Sequence, residues 1–279
     1  MNVNRIRAQK TISAWGWLWI GLGLGFLGLV VGLPVINIFY QAFNKGLLAY
    51  WQGINTPQAW HAIGLTLTAV MIAVPLNTVF GISAAWMIAR QQFWGRKLLL
   101  QLIDLPLTIS PIIVGLMFVL LYSPLGSLFE YWVNQWNLKI IFAWPGLVLV
   151  TVFVTLPFVV REVLPALQDL GREQEESAKT LGANGWQVFW QVVLPNIRWA
   201  VLYGVLLSTA RALGEFGAVS VVSGKIIGET NTLTLHIERM YLEYETIAAF
   251  AGASLLGLVA LLTLICQELL RRYDNRIAS

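Results

Sequence analysis

The sequence predicts an all-α membrane protein with six transmembrane helices and a polar cytoplasmic elbow between the fourth and fifth helices. Of its 279 residues, 57% are hydrophobic and 11% are charged, and the mean hydropathy is +0.69. Soluble domains carry about 25% charged residues, so most of this chain is expected to lie in a membrane. Most of its apolar segments reach the roughly 20 residues that a helix needs to cross a bilayer. These segments are residues 15–43, 58–89, 98–122, 145–160, 196–222 and 246–270.

The distribution of lysine and arginine predicts that both termini lie in the cytoplasm. If the N-terminus is inside, the outer segments hold only Lys45, Lys139, Lys225 and Arg239. Every other basic residue except Arg211 then lies at or near the inner side, as the positive-inside rule requires. Because these residues flank spans, the net charge of +4 indicates membrane orientation and not nucleic-acid binding.

The elbow is the polar stretch EESAKTLGANGWQVFWQVVLP, residues 175–195. Its sequence predicts two helical arms joined by a tight turn. The first arm begins at Glu173 and runs to Leu181, and Gly182 can adopt the left-handed conformation that ends a helix. Asn184 can then cap the second arm, with Gln187 three residues later as the reciprocal half of a capping box.

The second arm is predicted to be a short amphipathic helix that Pro195 ends. Its apolar side chains recur at helical spacing on one face, which is expected to lie against the spans. The elbow has three possible roles: an interfacial helix that covers the inner mouth of the bundle, a lipid-surface anchor, or a docking element for a cytoplasmic partner. The polar face of this arm has no lysine or arginine, which disfavours the anchor, but periodicity does not separate the other two. The apolar residues are Trp186, Phe189, Trp190, Val193 and Leu194.

The elbow resembles the signature loop of ABC-importer permeases, which has the pattern E-A-A, three residues, G, nine residues, I-x-L-P. Ser177 and Val192 are conservative departures from this pattern. The resemblance implies that residues 164–195 form a cytoplasmic coupling loop. Its helix would dock in a groove of an ATP-binding subunit and carry ATP-driven motion into the membrane. The residues at the spacings of the pattern are Glu176, Ser177, Ala178, Gly182, Val192, Leu194 and Pro195.

Other stretches resemble the permeases of sulfate and molybdate importers. DLPLTISPIIVGL, residues 104–116, resembles their third span, and IRWAVLYGVLLSTARALGEFGAVSVVSG, residues 197–224, resembles their fifth. PVINIFYQAFNKGL resembles the sulfate/thiosulfate permeases in particular. The resemblance implies one transmembrane domain over residues 1–279, in a bacterial inner membrane, that forms half of the pathway for sulfate or thiosulfate. Molybdate or tungstate is the alternative cargo.

The same resemblance implies several partners. They are a second, homologous permease of the T type, two ATP-binding subunits and a periplasmic sulfate-binding protein. This chain has no G-x-x-x-x-G-K-[ST] phosphate loop, so it is not expected to be an enzyme, and ATP and Mg²⁺ are expected to bind to the partner subunits. His61, His236 and Cys266 have no ligand-like spacing, and neither a metal site nor a cofactor is expected.

An ion-coupled secondary transporter for anions is the alternative from a different class. Such a transporter needs ionisable residues near the bilayer midplane, and only Asp104, Arg211 and Glu215 are candidates for that position. This alternative also gives the elbow no role. Arg211 and Glu215 are four residues apart in the fifth span and are expected to pair on one helix face. The pair either holds this helix to its neighbours or presents positive charge to a passing oxyanion. Ser220 and Ser223 are candidate hydrogen-bond donors further out.

Overall fold

A computed structural model describes residues 14–123, 129, 131, 135, 136 and 139–277. Within these ranges every element of regular secondary structure is helical, which confirms the all-α prediction. Both chain termini, to which the orientation prediction applies, lie outside the described residues. π-helical turns join α1 to α2 and α9 to α10, at Gly28–Gly32 and Phe189–Val193. The α-helices are α1 (Ala14–Leu27), α2 (Leu33–Phe43), α3 (Leu47–Ile54), α4 (Pro57–Arg90), α5 (Arg96–Thr108), α6 (Pro111–Tyr122), α7 (Trp144–Asp169), α8 (Glu173–Thr180), α9 (Gly185–Val188), α10 (Leu194–Leu213), α11 (Gly217–Val222), α12 (Leu233–Leu242) and α13 (Thr246–Ile277).

Five helical stretches of the described residues are long and apolar enough to cross a membrane. α5 and α6 pass the same test of length and composition only when taken together, as a bent pair. This count agrees with the predicted six spans when the bent pair is taken as one. The five continuous stretches are Trp15–Phe43, Pro57–Arg90, Trp144–Asp169, Gly185–Leu213 and Thr246–Arg272.

The third predicted span, residues 98–122, is not one straight helix. α5 and α6 meet at an angle of 110°. Ile109 is extended, with φ −95° and ψ 141°, and Ser110 has ψ 134°. Because Pro111 disfavours the α conformation in the residue before it, the helix breaks at this point, whereas Pro106 is accommodated inside α5.

The fourth and fifth spans also differ from their predicted bounds. The fourth was predicted at residues 145–160, but α7 continues to Asp169 because a helix does not have to end where its apolar side chains end. The fifth was predicted to reach residue 222, but α10 ends at Leu213 and Gly214 begins a break. The outer part of that segment is the separate helix α11.

The helices α4, α7 and α10 pack closely at the centre of the bundle. Gly81 of α4 and Gly204 of α10 both face Val159 of α7, and a Cβ at these positions would lie 2.7 Å and 2.8 Å from atoms of that valine. The absent side chains let the three helices approach one another. Asn77 of α4 adds a polar contact, because its side-chain amide donates to the Val152 carbonyl oxygen of α7 at 2.9 Å.

The loop between α11 and α12 is anchored by buried hydroxyl groups. The Thr66 hydroxyl oxygen of α4 accepts a hydrogen bond from the Leu233 N–H at 2.9 Å. The Thr230 hydroxyl donates to the Ser223 carbonyl oxygen at 2.6 Å. These contacts satisfy buried polar groups and hold the start of α12 against the bundle.

Replacing Gly204 by alanine is expected to destabilise the bundle, because the new methyl group would lie 2.8 Å from the Val159 Cα atom, which cannot rotate away. Overpacking of this kind costs about 1–3 kcal/mol. Gly64→Ala is the matched control, since no atom lies within 4 Å of its added Cβ. The melting temperature of the purified chain in detergent should fall for Gly204→Ala and stay unchanged for Gly64→Ala. Equal melting temperatures would contradict the close packing.

His236 of α12 makes the stability of this helix dependent on pH. Burial lowers the pKa of its imidazole, the nearby Arg239 guanidinium lowers it further, and the Glu243 carboxylate opposes both. Because the folded helix disfavours the protonated imidazole, an opened helix takes up a proton more readily as the pH falls through about 6.5. The stability of α12 should therefore be constant above that pH and decrease below it.

Backbone hydrogen exchange of α12, corrected for intrinsic rates, measures this dependence. Protection should be lower at about pH 5.5 than at about pH 7.5, and His236→Gln should remove the difference. An equal loss of protection in the variant would assign the dependence to another group.

Candidate functional site: the elbow

The first arm of the elbow is the helix α8, and glycine ends it as predicted. Its first turn carries Glu173, Glu175 and Glu176, whose negative charges are favourable at the positive end of the helix dipole. Gly182 has φ +89°, in the left-handed region, and its N–H donates to the Lys179 carbonyl oxygen at 3.0 Å. Glycine adopts this conformation without the steric cost that a side chain brings.

The predicted capping box closes the turn between the two arms. The Gln187 N–H donates to the Asn184 side-chain oxygen at 2.8 Å, and the Asn184 N–H donates to the Gln187 side-chain oxygen at 2.9 Å. These reciprocal bonds satisfy N–H groups that a helix start otherwise leaves without partners. The angle between the arms is therefore set locally, by Gly182 and the capping box.

The prediction that Pro195 ends the second arm is wrong. α9 continues through the π-helical turn Phe189–Val193 into α10, and Pro195 lies in the first turn of α10. In the wider turn the Leu194 N–H bonds to the Phe189 carbonyl oxygen, and a proline, which has no N–H, is accommodated directly after it. The turn of the elbow is consequently joined to the fifth span by continuous helix.

The predicted apolar face of the second arm is divided between the interior and the surface. Val193 is buried, Phe189 and Leu194 are half-buried, and Trp186 and Trp190 are 71% and 49% exposed. The π turn changes the angular spacing of the residues around it, so the 3.6-residue period does not place all five on one side. The prediction that the whole face lies against the spans is wrong for the two tryptophans.

The residues of the signature pattern lie mostly on the surface of the elbow. At its tip, between the two arms, Leu181 is 89% exposed. Clustered exposed apolar side chains of this size mark surfaces that bind other proteins or membranes. Of the signature residues, Glu176, Ser177, Gly182 and Pro195 are exposed, and Ala178, Val192 and Leu194 are half-buried.

A buried ion pair that sequence reasoning did not identify holds the first arm to the bundle. Arg90, the last residue of α4, lies 2.6 Å from the Glu175 carboxylate, and the two side chains are 12% and 6% exposed. The same guanidinium donates to the Leu167 carbonyl oxygen, in the last turn of α7, at 2.9 Å. Arg172 donates to the Arg90 carbonyl oxygen. Helical periodicity relates only neighbouring turns, so it carries no signal for a pair 85 residues apart.

Two cavities lie on either side of Trp86 of α4, next to the elbow. One has a volume of about 500 Å³ and a lining that includes Arg90 and Lys179. The other has a volume of about 600 Å³ and a largely apolar lining that includes Phe189 and Trp190. Beside the cavities the elbow still packs on the bundle: the Trp86 and Phe189 rings lie 5.5 Å apart, and Ala178 packs against the buried apolar cluster that includes Ile88 and Val188. The first arm is therefore joined to α4 by the ion pair in addition to this apolar packing.

Arg211 and Glu215 form the predicted pair, with 2.5 Å between the Arg211 Nη1 and Glu215 Oε2 atoms. The two residues do not share one helix. α10 ends at Leu213, and Glu215 lies in the break before α11. Glu215 is 3% exposed, and its second carboxylate oxygen accepts the Ala218 N–H at 2.9 Å. The Arg211 side chain is 32% exposed, so it remains partly accessible while it neutralises a buried carboxylate.

The two serines expected to act as further donors make local hydrogen bonds. The Ser220 hydroxyl donates to the Gly217 carbonyl oxygen at 2.8 Å. The Ser223 hydroxyl oxygen accepts the Lys225 N–H at 3.0 Å, and Ser223 is buried. Both hydroxyl groups thus stabilise the end of α11 and the loop that follows it.

Comparison with known proteins assigns the chain to a transport family. Residues 77–273 match the model of the family described as binding-protein-dependent transport system inner membrane component. The chain belongs to this family. The elbow and both arms fall inside the matched region, so the family pattern includes the site described above.

Curated proteins named sulfate transport system permease protein CysW are similar to most of the chain. The protein from Synechocystis sp. is 53% identical over 247 residues, which are 88% of this chain and 89% of the relative. The protein from Escherichia coli K12 is 51% identical over 248 residues, 88% and 84% of the two chains. The E. coli K12 sulfate transport system permease protein CysT is 38% identical over 253 residues, 90% and 91% of the two chains.

A solved structure shares the fold. The crystal structure of a bacterial ABC transporter involved in alginate import contains a chain with a TM-score of 0.74 to this one. The match covers 94% of this chain and 96% of the other at 19% identity, and at that identity it concerns the fold alone. The family match and the permease relatives identify the chain as a multi-pass permease subunit of an ABC importer in an inner membrane.

Gly182→Val is expected to leave membrane insertion intact and to reduce the amount of substrate imported per ATP hydrolysed. No atom lies within 4 Å of an added Cβ, so the cost of about 1 kcal/mol or more comes from the left-handed backbone at φ +89° and changes the angle between the arms. Gly185→Val is the matched control, because that glycine is equally uncrowded and has no left-handed conformation. Transport assays with the complete importer measure the amount of substrate imported per ATP hydrolysed. An unchanged amount in Gly182→Val would argue against a docking role for the elbow.

Proposed function

We propose that this chain forms half of the translocation pathway for sulfate or thiosulfate in an ATP-driven importer. The CysW relatives support the cargo, and the elbow supports coupling to ATP. The elbow exposes four of its seven signature residues and Leu181 at the tip, whereas Glu175 of the first arm is buried against α4 and the second arm continues into the fifth span. A coupling helix needs this combination of a free docking surface and a firm connection to the spans.

One of two ATP-binding subunits is proposed to dock at the elbow from the cytoplasm, and the other at the corresponding elbow of the second permease. They would bind ATP and Mg²⁺, because no phosphate-loop motif occurs in this sequence. The positive-inside bias supports a cytoplasmic position for the elbow, for the coupling loop of residues 164–195 and for both termini. Exposed Glu176 and Ser177 would contact the docking groove, and half-buried Ala178 would lie at its edge.

A second, homologous permease of the CysT type is proposed to complete the pathway, and a periplasmic sulfate-binding protein to deliver the anion. The surface of the spans supports a protein partner. Arg161 of α7 donates to the Asp104 carboxylate of α5 at 2.9 Å, and these side chains are 56% and 39% exposed. Charged side chains on a lipid-facing surface of a span are costly. This surface therefore suits a second permease or an aqueous pathway better than lipid.

Arg211 is proposed to present positive charge to the passing oxyanion. Its partner Glu215 is held in place by the Ala218 N–H, which fixes the guanidinium, and the accessible side of Arg211 remains open to a ligand. An arginine fork matches the oxygen geometry of oxyanions, whereas a lysine ammonium acts as a point charge. Exchanging the two charges would be a poor test, because an arginine at position 215 would lose the contact with the Ala218 N–H.

Arg211→Lys tests the pathway role while it preserves the charge that Glu215 requires. We expect assembly to be retained and the KM for sulfate uptake to rise by about tenfold, the effect of losing one charge-assisted hydrogen bond. Arg239→Lys is the matched control. Arg239 lies in α12, outside the spans, and its Nε atom is 3.9 Å from the Oε1 atom of Glu243, which follows that helix. An unchanged KM in Arg211→Lys would restrict Arg211 to a structural role.

Reconstitution tests the proposed function as a whole. Proteoliposomes that contain this chain, a CysT-type permease and the ATP-binding subunits should take up labelled sulfate only with a sulfate-binding protein and ATP. Uptake should be insensitive to proton and sodium ionophores. A preference for molybdate or tungstate would change the proposed cargo. Uptake that needs no ATP and collapses with an ionophore would contradict the importer and support an ion-coupled transporter.

A further inference from the structure

Three helix ends meet at the root of the elbow. Arg90 ends α4, the Leu167 carbonyl belongs to the last turn of α7, and Glu175 lies in the first turn of α8. The last carbonyl groups of a helix have no partner within it, and the Arg90 guanidinium supplies one for Leu167 at 2.9 Å. Its Nε and Nη2 atoms both lie 2.6 Å from the Glu175 Oε1 atom.

The contact depends on the shape of the arginine side chain. One planar guanidinium donates through Nε to the Glu175 carboxylate and through Nη1 to the Leu167 carbonyl oxygen, while Nη2 adds a close charge contact to the same Glu175 oxygen. A lysine ammonium at position 90 would keep the charge but lacks this fixed arrangement of donors. Since the two side chains are 12% and 6% exposed, solvent screens their attraction far less than at a surface pair.

A second contact of the first arm is exposed and uncharged, unlike the buried ion pair. The Asn196 side-chain amide of α10 donates to the Gln174 side-chain oxygen at 2.9 Å, but both residues are exposed and uncharged. An exposed neutral hydrogen bond exchanges readily with water and contributes little net free energy. A cavity lies between part of the first arm and α4, and Ala178 of the arm packs against the apolar cluster that includes Ile88 of α4. The ion pair is thus the buried polar connection between the first arm and this span, and it adds a directional contact to that packing.

We infer that the Arg90–Glu175 ion pair transmits displacement of the elbow to α4, and that both are positioning residues for coupled transport. When a docked ATPase subunit moves the first arm, Glu175 pulls on the inner end of α4 and also on α7 through the Leu167 carbonyl. α4 and α7 pack against each other around Val159, so the displacement reaches the centre of the bundle. This inference rests on the proposed function and assigns a role to residues outside the signature pattern.

Glu175→Gln and Arg90→Lys test the joint in the complete reconstituted importer. Glu175→Gln removes one charge with little change of shape, and Arg90→Lys keeps the charge but not the donor arrangement. We expect both variants to assemble with the ATP-binding subunits and to hydrolyse ATP at close to the unmodified rate. The amount of sulfate imported per ATP should fall by about tenfold, the size of effect expected when a coupling residue is changed.

The pair of Arg272 and Glu268 in α13 provides matched controls. It has the same residue types at 2.7 Å, but its side chains are 70% and 54% exposed. Arg272→Lys and Glu268→Gln should leave sulfate imported per ATP unchanged. A normal ratio in Glu175→Gln and Arg90→Lys would overturn the inference, and so would loss of assembly in both, because the pair would then be a folding element. Failure of the unmodified importer to transport sulfate would instead contradict the proposed function.

Discussion

The buried ion pair between Arg90 and Glu175 determines how the elbow is attached to the membrane-spanning helices. Removing one partner of a buried pair leaves an uncompensated charge and costs about 3–5 kcal/mol, so each residue stabilises the burial of the other. The pair also fixes the start of the first arm, while Gly182 and the capping box set the direction of the second. A polar segment of a largely apolar protein is thereby held in one orientation relative to α4, α7 and the fifth span.

Irregular backbone occurs where the functional features lie. The break before Pro111 turns α6 away from α5, the helix that carries Asp104. The π turn ahead of Pro195 joins the elbow to the fifth span, and Gly214 ends α10 so that Glu215 can leave the helix and bind the Ala218 N–H. Each interruption would expose unpaired backbone groups in a membrane unless neighbouring groups satisfied them. The chain places them inside the bundle or beside side chains that bond to them.

Local features of the elbow were predictable from the sequence, and its long-range contacts were not. Gly182 and the pair of Asn184 and Gln187 act within one turn of helix, so their roles follow from spacing alone. The ion pair of Glu175 depends on a residue 85 positions away, which periodicity does not reach. Likewise, hydropathy located the third and fifth spans but not their interruptions, because hydropathy is averaged over a window of about 19 residues and each break involves only a few.

The most direct test is the distance between the first arm and α4 during the ATP cycle. Pulsed electron paramagnetic resonance measures this distance between spin labels at two exposed positions, Thr68→Cys in α4 and Thr180→Cys in α8. The single native cysteine, Cys266, is first replaced by serine. If the ion pair holds the first arm rigidly to α4, the distance distribution is narrow and is the same in the nucleotide-free and ATP-bound importer, and it is broader in Glu175→Gln. A distance that changes on ATP binding in the otherwise unmodified importer would show that the elbow slides relative to α4, and would contradict a rigid connection through the ion pair.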